Sequence, residues 1–130
     1  MIAGAAGLVG NHLARALAGE HEVLALKHGD LDIADRQTVH RFVADARPAL
    51  IFNCAVVQVD ESEQDPAQAQ AVNVDGAGFL AEAAQDVGAE MVHFSTQYAF
   101  AGEPVARLPY TIRDEPRPIN NYGQIGRAHV

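Results

Sequence analysis

Gly4-Ala5-Ala6-Gly7-Leu8-Val9-Gly10 is the stretch whose reading decides the fold. An apolar remnant, Met1-Ile2-Ala3, precedes it. After it, Leu8, Leu13, Leu17 and the alanines among them make a stripe at helical spacing that Gly19 ends. Glycines at this spacing between a strand and a helix let the backbone approach a pyrophosphate, which then rests on the helix N-terminus. Glycine-rich turns also serve as plain structural punctuation, but the flanking strand remnant and amphipathic helix favour the dinucleotide reading. A full hydrophobic strand normally comes before such a turn. Only residues 1–3 do so here, and the expectation is a nucleotide-binding domain cut at its front edge.

Working outward, strands and helices alternate. Glu22-Val23-Leu24-Ala25-Leu26 reads as a short buried strand. Asp35 caps a helix through about Ala46, with Val39, Phe42 and Val43 inward and Pro48 past its end. Ala49-Leu50-Ile51-Phe52-Asn53-Cys54-Ala55 is the third strand, and Glu90 to Phe94 the fourth. Between them the polar stretch from Asp60 to Asp65 reads as a solvated loop, leading through Pro66 into one long helix that ends near Gly88. Four of the six prolines, Pro104, Pro109, Pro116 and Pro118, mark a long irregular loop after the fourth strand. Strands separated by helices imply parallel pairing. The fold class is therefore α/β, a Rossmann-like doubly wound parallel sheet, truncated at both ends.

Composition excludes several classes. With 130 residues, 48% hydrophobic and 20% charged, there is material for one core. A net charge of -8 argues against nucleic acid or an anionic membrane as partner. Cys54 is the one cysteine, which rules out a disulfide framework and points to a reducing compartment. No signal peptide opens the chain and no apolar run reaches the roughly 18 residues of a membrane span, so a cytoplasmic protein is expected. The six histidines lack metal-ligand spacing, and His93 alternates with apolar neighbours as a strand residue does. Asp60, Glu61, Glu63 and Asp65 fit a solvated segment better than a cation site, and no metal is expected.

Cofactor choice turns on the end of the second strand. An acid there favours the adenosine 2'-hydroxyl and a base a 2'-phosphate. The strand runs into Lys27-His28, and the first acids are Asp30 and Asp32. The reading favours NADPH, with NADH as the alternative should Lys27 be only a solvated charge.

Taken in order, the motifs resemble the extended short-chain dehydrogenase/reductase family and, within it, the dTDP-4-dehydrorhamnose reductases. The matching pieces are Gly4 to Gly10, Leu31-Asp32-Ile33, Asn53-Cys54-Ala55, Val59-Asp60 with Glu63, Val72-Asn73-Val74-Asp75-Gly76, Ser95-Thr96-Gln97-Tyr98-Ala99-Phe100 and Asn121-Tyr122-Gly123. The resemblance implies NAD(P)H-dependent reduction of a nucleotide-linked 4-keto sugar by the full-length parent, with this fragment itself expected to be inactive and a homo-oligomer left open. By it, Gly4, Gly7, Leu8, Val9, Gly10 and Lys27 would meet the cofactor, Asp32 and Ile33 would flank the adenine, and Asn53, Cys54, Ala55 and Ser95 would line the groove. Thr96 would hydrogen-bond the sugar carbonyl while Tyr122 donates the proton. Tyr98 and Phe100 read as packing residues near the pocket mouth, and Asn73 as a group that satisfies backbone. The competing readings are a nucleotide-sugar epimerase or dehydratase, and a non-catalytic dinucleotide-binding regulatory subunit.

Departures from the family pattern concentrate at the C-terminus. Val56-Val57-Gln58 replaces an aromatic segment, Gln97 and Ala101 stand where aspartates are common, and Lys27 replaces an acid. The family pairs its tyrosine with a lysine four residues on; here that position is Gly126. Glycines at 123 and 126 also fit poorly with the helix that should begin there. Reverse-translated as ATC GGA AGA GCA CAC GTC, residues 125–130 spell a short-read sequencing adapter, with AG completing the Gln124 codon. The expectation is a partial dinucleotide-binding domain over residues 1–123, a non-native tail over residues 124–130, and a C-terminal substrate region absent from the chain.

Overall fold

Four parallel strands form one sheet in the order β2-β1-β3-β4. The structure, a computed structural model, describes residues 1–102, 109–111 and 113–127. Pro104 and the end of the tail, residues 128–130, lie outside them. β1 (Ile2–Ala3) pairs with β2 (Ala25–Leu26) on one side and β3 (Leu50–Asn53) on the other, in the registers Ile2↔Ala25 and Ile2↔Phe52. β3 pairs along its length with β4 (Glu90–His93). The second strand is shorter than the expected Glu22-to-Leu26 run because β1 offers it two residues to pair with. Leu24 still contributes its carbonyl, which accepts the Ile2 N–H at 2.8 Å.

The main core forms where α2 (Arg36–Ala46) and α5 (Ala77–Val87) pack together beside the sheet. Val39, Val43, Ile51 and Leu80 are fully buried there. Asp35 caps α2 as expected, its carboxylate accepting the Thr38 N–H at 3.1 Å. α1 (Leu8–Leu17) departs from its stripe. Gly10 is its one buried residue, and Leu13 and Leu17 are half-buried.

Two further expectations are corrected. The polar stretch is not a loop but helix α3 (Val59–Gln64). A capping box starts it: the Gln58 side chain takes the Glu61 N–H, and the Glu61 carboxylate takes the Gln58 N–H at 3.1 Å. The long helix is likewise interrupted. α4 (Pro66–Ala69), capped by Asp65 and with Pro66 in its first turn, runs into a π-helical turn (Gln70–Gly76) and only then into α5, which ends at left-handed Gly88.

The C-terminal helix forms despite its glycines. A short 3-10 turn (Gln97–Ala99) follows β4, and α6 (Asn121–Arg127) packs against it. Tertiary packing here overrides propensity. A Cβ on Gly123 would run into the Tyr98 carbonyl, and one on Gly126 would lie 2.5 Å from Thr96 Cγ2. Both glycines bring the helix backbone close to the segment after β4. Ile125 is buried with Val57 and Ala69 in a second, smaller core.

Candidate active site

The turn after β1 is shaped by contact between main chains. Gly4 has φ 79°, and a Cβ there would lie 2.5 Å from the Ala55 nitrogen, so glycine alone is accommodated. Gly10 sits beneath, where a Cβ would come within 2.5 Å of the Gly4 oxygen. Gly7 donates its N–H to that same oxygen at 3.1 Å and is the cap residue of α1. The first N–H groups of a helix have no intrahelical partner, which makes this end of α1 suited to an anion.

Beside the turn lies a cleft of about 270 Å³ whose wall includes Gly4, Gly7, Asp32, Ile33, Cys54 and Ala55, together with His28, Gln68 and Val72. Asp32 accepts the Ala34 N–H at 3.0 Å and stands 3.9 Å from His28 Nδ1. Of the expected cofactor residues, Leu8, Val9, Gly10 and Lys27 are not part of this wall. Leu8 and Val9 are exposed in the first turn of α1, and Gly10 is buried beneath Gly4. Lys27 is outside the wall: β2 ends at Leu26, and a turn closed by Asp30 N–H to the Lys27 carbonyl brings His28 to the wall instead.

A second cleft, of about 110 Å³, opens between the ends of β3 and β4 and helix α6. Asn53, Cys54, Ala55, Ser95, Thr96 and Tyr122 all line it. Cys54, Ala55 and Val56 belong to both walls, so the two clefts flank one segment just past the C-terminal end of β3. This is the edge at which doubly wound sheets place ligands.

Hydrogen bonds set the orientation of the groups in this cleft. Thr96 Oγ1 accepts the Tyr98 N–H at 3.2 Å, which leaves its own hydroxyl proton to donate. The Tyr122 ring meets Tyr98 edge-on, with centroids 5.8 Å apart at 84°. Asn53 Oδ1 accepts the Ala55 N–H at 3.2 Å; that fixes the amide so that Nδ2 donates to His93 Nδ1, also at 3.2 Å. Asn73, buried in the π turn, does satisfy backbone: it accepts the Val57 N–H at 2.8 Å and donates to the Val57 carbonyl at 2.9 Å. Burial pushes the Cys54 thiol above its ordinary value, keeping it protonated at neutral pH. Phe100 stacks on Tyr110 with centroids 4.4 Å apart. Gly126 lines the cleft where the family pattern calls for lysine, and no lysine or arginine is among the described lining residues.

His93, His28 and Gln68 are wall residues that sequence reasoning missed. For His93 a clue existed, since it ends β4 at the ligand edge; Gln68 on α4 offered none.

Fold and groove together define a Rossmann-type α/β domain. The chain belongs to the RmlD substrate binding domain family, which matches residues 1–127. A dTDP-4-dehydrorhamnose reductase of Mycolicibacterium smegmatis is 44% identical over 126 residues, covering 95% of this chain and 38% of that relative. The crystal structure of a dTDP-4-dehydrorhamnose reductase from Clostridium acetobutylicum superposes with a TM-score of 0.89 at 38% identity, over 97% of this chain and 45% of the other. One from Bacillus anthracis in complex with NADP gives 0.89 at 35% identity, over 98% and 45%. The chain thus spans about two fifths of the length of the curated relatives it matches. Among the described residues, no helix is long and apolar enough to cross a membrane.

Proposed function

We propose that this chain is the dinucleotide-binding part of an NADPH-dependent reductase of a nucleotide-linked 4-keto sugar, of the dTDP-4-dehydrorhamnose reductase kind. One observation carries the reading. Thr96 and Tyr122, from opposite sides of the proline-rich loop, line one cleft that shares Cys54, Ala55 and Val56 with the cleft at the glycine turn.

The residues present fit the cofactor. Gly4, Gly7 and the start of α1 take the pyrophosphate, Asp32, Ile33 and His28 the adenosine end, and Asn53, Cys54, Ala55 and Ser95 the nicotinamide end. When bound, NADPH supplies hydride to the carbonyl carbon. Tyr122 holds the proton that the developing alkoxide takes up, and the Thr96 hydroxyl donates a hydrogen bond to the same oxygen. With Lys27 outside the wall, preference for a 2'-phosphate rests on His28, and NADPH and NADH are to be compared directly. The reading takes residues 1–123 as a partial domain and residues 124–130 as adapter read-through; the nucleotide-sugar site lies in the part of the relatives that this chain does not span.

Gly126 in the cleft wall favours a second reading, a protein that binds a dinucleotide without turning it over. Long-read sequencing of the gene across codons 120 to 130 separates the two. A lysine codon at 126 with coding sequence beyond it supports the reductase, whose full-length product is then expected to oxidise NADPH against a nucleotide-linked 4-keto sugar. A genomic glycine with a stop soon after Val130 supports the binding protein.

A further inference from the structure

Among the described residues no three histidine, cysteine or acidic side chains are placed to hold a metal, and the acids around α3 therefore call for another account. One of them has a distant partner. Glu63 accepts the Asn121 backbone N–H through Oε1 at 2.7 Å and the Asn121 side-chain amide through Oε2 at 2.9 Å, across 58 residues of chain. Asn121 is the first residue of α6 and the immediate neighbour of Tyr122. A carboxylate at this point meets the positive end of the helix and one of its unpaired N–H groups. Asn120 takes another, accepting the Gly123 N–H at 2.7 Å.

From this geometry we infer that Glu63 is a positioning residue for Tyr122. Its two hydrogen bonds fix where α6 begins, and through α6 they fix the phenol beside Thr96. The inference rests on the reading of Tyr122 as the proton donor. α6 has little stability of its own, being short and carrying Gly123 in its first turn. The two bonds from the Glu63 carboxylate hold its first residue in place. α3 is a firm anchor for that carboxylate, since its first turn is closed by the Gln58–Glu61 capping box and Ser62 donates to the Gln58 carbonyl at 2.7 Å.

The test is made in the full-length reductase that carries this segment. Glu63→Ala is expected to lower kcat about 10²-fold, the size of effect that an ångström of misplacement produces, with NADPH affinity within about twofold of wild type. Glu63→Gln is expected to restore most of the rate, because its amide oxygen accepts the Asn121 N–H and a turned Asn121 amide meets its other end. In a Tyr122→Phe background, Glu63→Ala should cost nothing more, as residues acting through one another are not additive. Undiminished kcat in Glu63→Ala, or losses that simply multiply in the double variant, overturn the positioning role. Amide exchange at Asn121 reads the clamp without any assay of turnover, and about tenfold faster exchange in Glu63→Ala is expected. Unchanged exchange overturns the clamp whatever the activity. Wild-type turnover by Tyr122→Phe overturns the donor reading and the positioning role with it, a failure distinct from loss of the clamp.

Discussion

At the glycine-turn end the walls are held by main chain against main chain, whereas at the Tyr122 end the close backbone packing at Gly123 is joined by side-chain hydrogen bonds between distant segments. Gly4 lies directly on Ala55 and Gly10 on Gly4, with no room for a methyl group at either contact. At the other end, Asn73 ties down Val57 and Glu63 ties down Asn121. The first arrangement is set by sterics and tolerates no adjustment. The second is directional and rests on single side chains, so it can be altered one bond at a time. A pyrophosphate is common to every dinucleotide and suits a rigid cradle. Substrates differ, and on the proposed function the end that would meet them is built from replaceable parts.

Four measurements bear on this contrast, and the largest effect is expected at the glycine turn. Gly4→Val combines a left-handed backbone with a collision against Ala55, and should destabilise the full-length protein by about 3 kcal/mol or more in urea unfolding while abolishing NADPH binding. Unchanged binding would break the contrast at its stronger end. Asn73→Ala leaves the Val57 N–H and carbonyl without that partner, for an expected loss of about 2–3 kcal/mol, read as a lower urea midpoint. A negligible shift would mean that the loop after β3 holds its shape without Asn73.

Cys54 stands where the two ends meet. Burial raises its pKa, so iodoacetamide should modify it at pH 7.5 more slowly than a free thiol, and NADP⁺ should slow the reaction further. Rapid alkylation indifferent to NADP⁺ would place the cofactor away from the junction. The smallest effect is expected far from the groove, at Asp35. Hydrogen bonds from the Thr38 hydroxyl, then from its N–H, hold this exposed carboxylate below its ordinary value. Its folded pKa is depressed, and its contribution is therefore present above the unfolded value and lost as pH falls through the folded one. Stability should decline below about pH 4, with Asp35→Asn flattening that part of the profile.

Features with a local cause were legible in the sequence. The spacing of the glycine turn, the Asp35 cap, the run of the third strand and the stop at Gly88 can each be read from residues within a few positions of one another, although the close approach of Gly4 to Ala55 cannot. Those settled by distant partners were not. α3 buries Ser62 alone and shows no apolar face, so only its capping box marks it as a helix, and that box begins with a glutamine in place of the usual serine or threonine. Gly123 and Gly126 look like helix breakers until Tyr98 and Thr96 are seen to press against them. Lys27 and His28 are adjacent, and which of them faces the groove depends on where β2 stops. That in turn depends on how much of β1 is there to pair with it.

The π turn at Gln70–Gly76 puts the two ends of one helical segment out of phase. In an ordinary α-helix, residues 73 and 80 would stack on the same side, seven positions being almost two whole turns. Here Asn73 serves the loop at Val57 while Leu80 fills the main core. Deleting a single residue from the turn would bring the segment back into step with itself and force one of those duties to be dropped. Length is thus a constraint on this segment as strict as composition. Many substitutions along it should be silent, and almost any one-residue deletion should not.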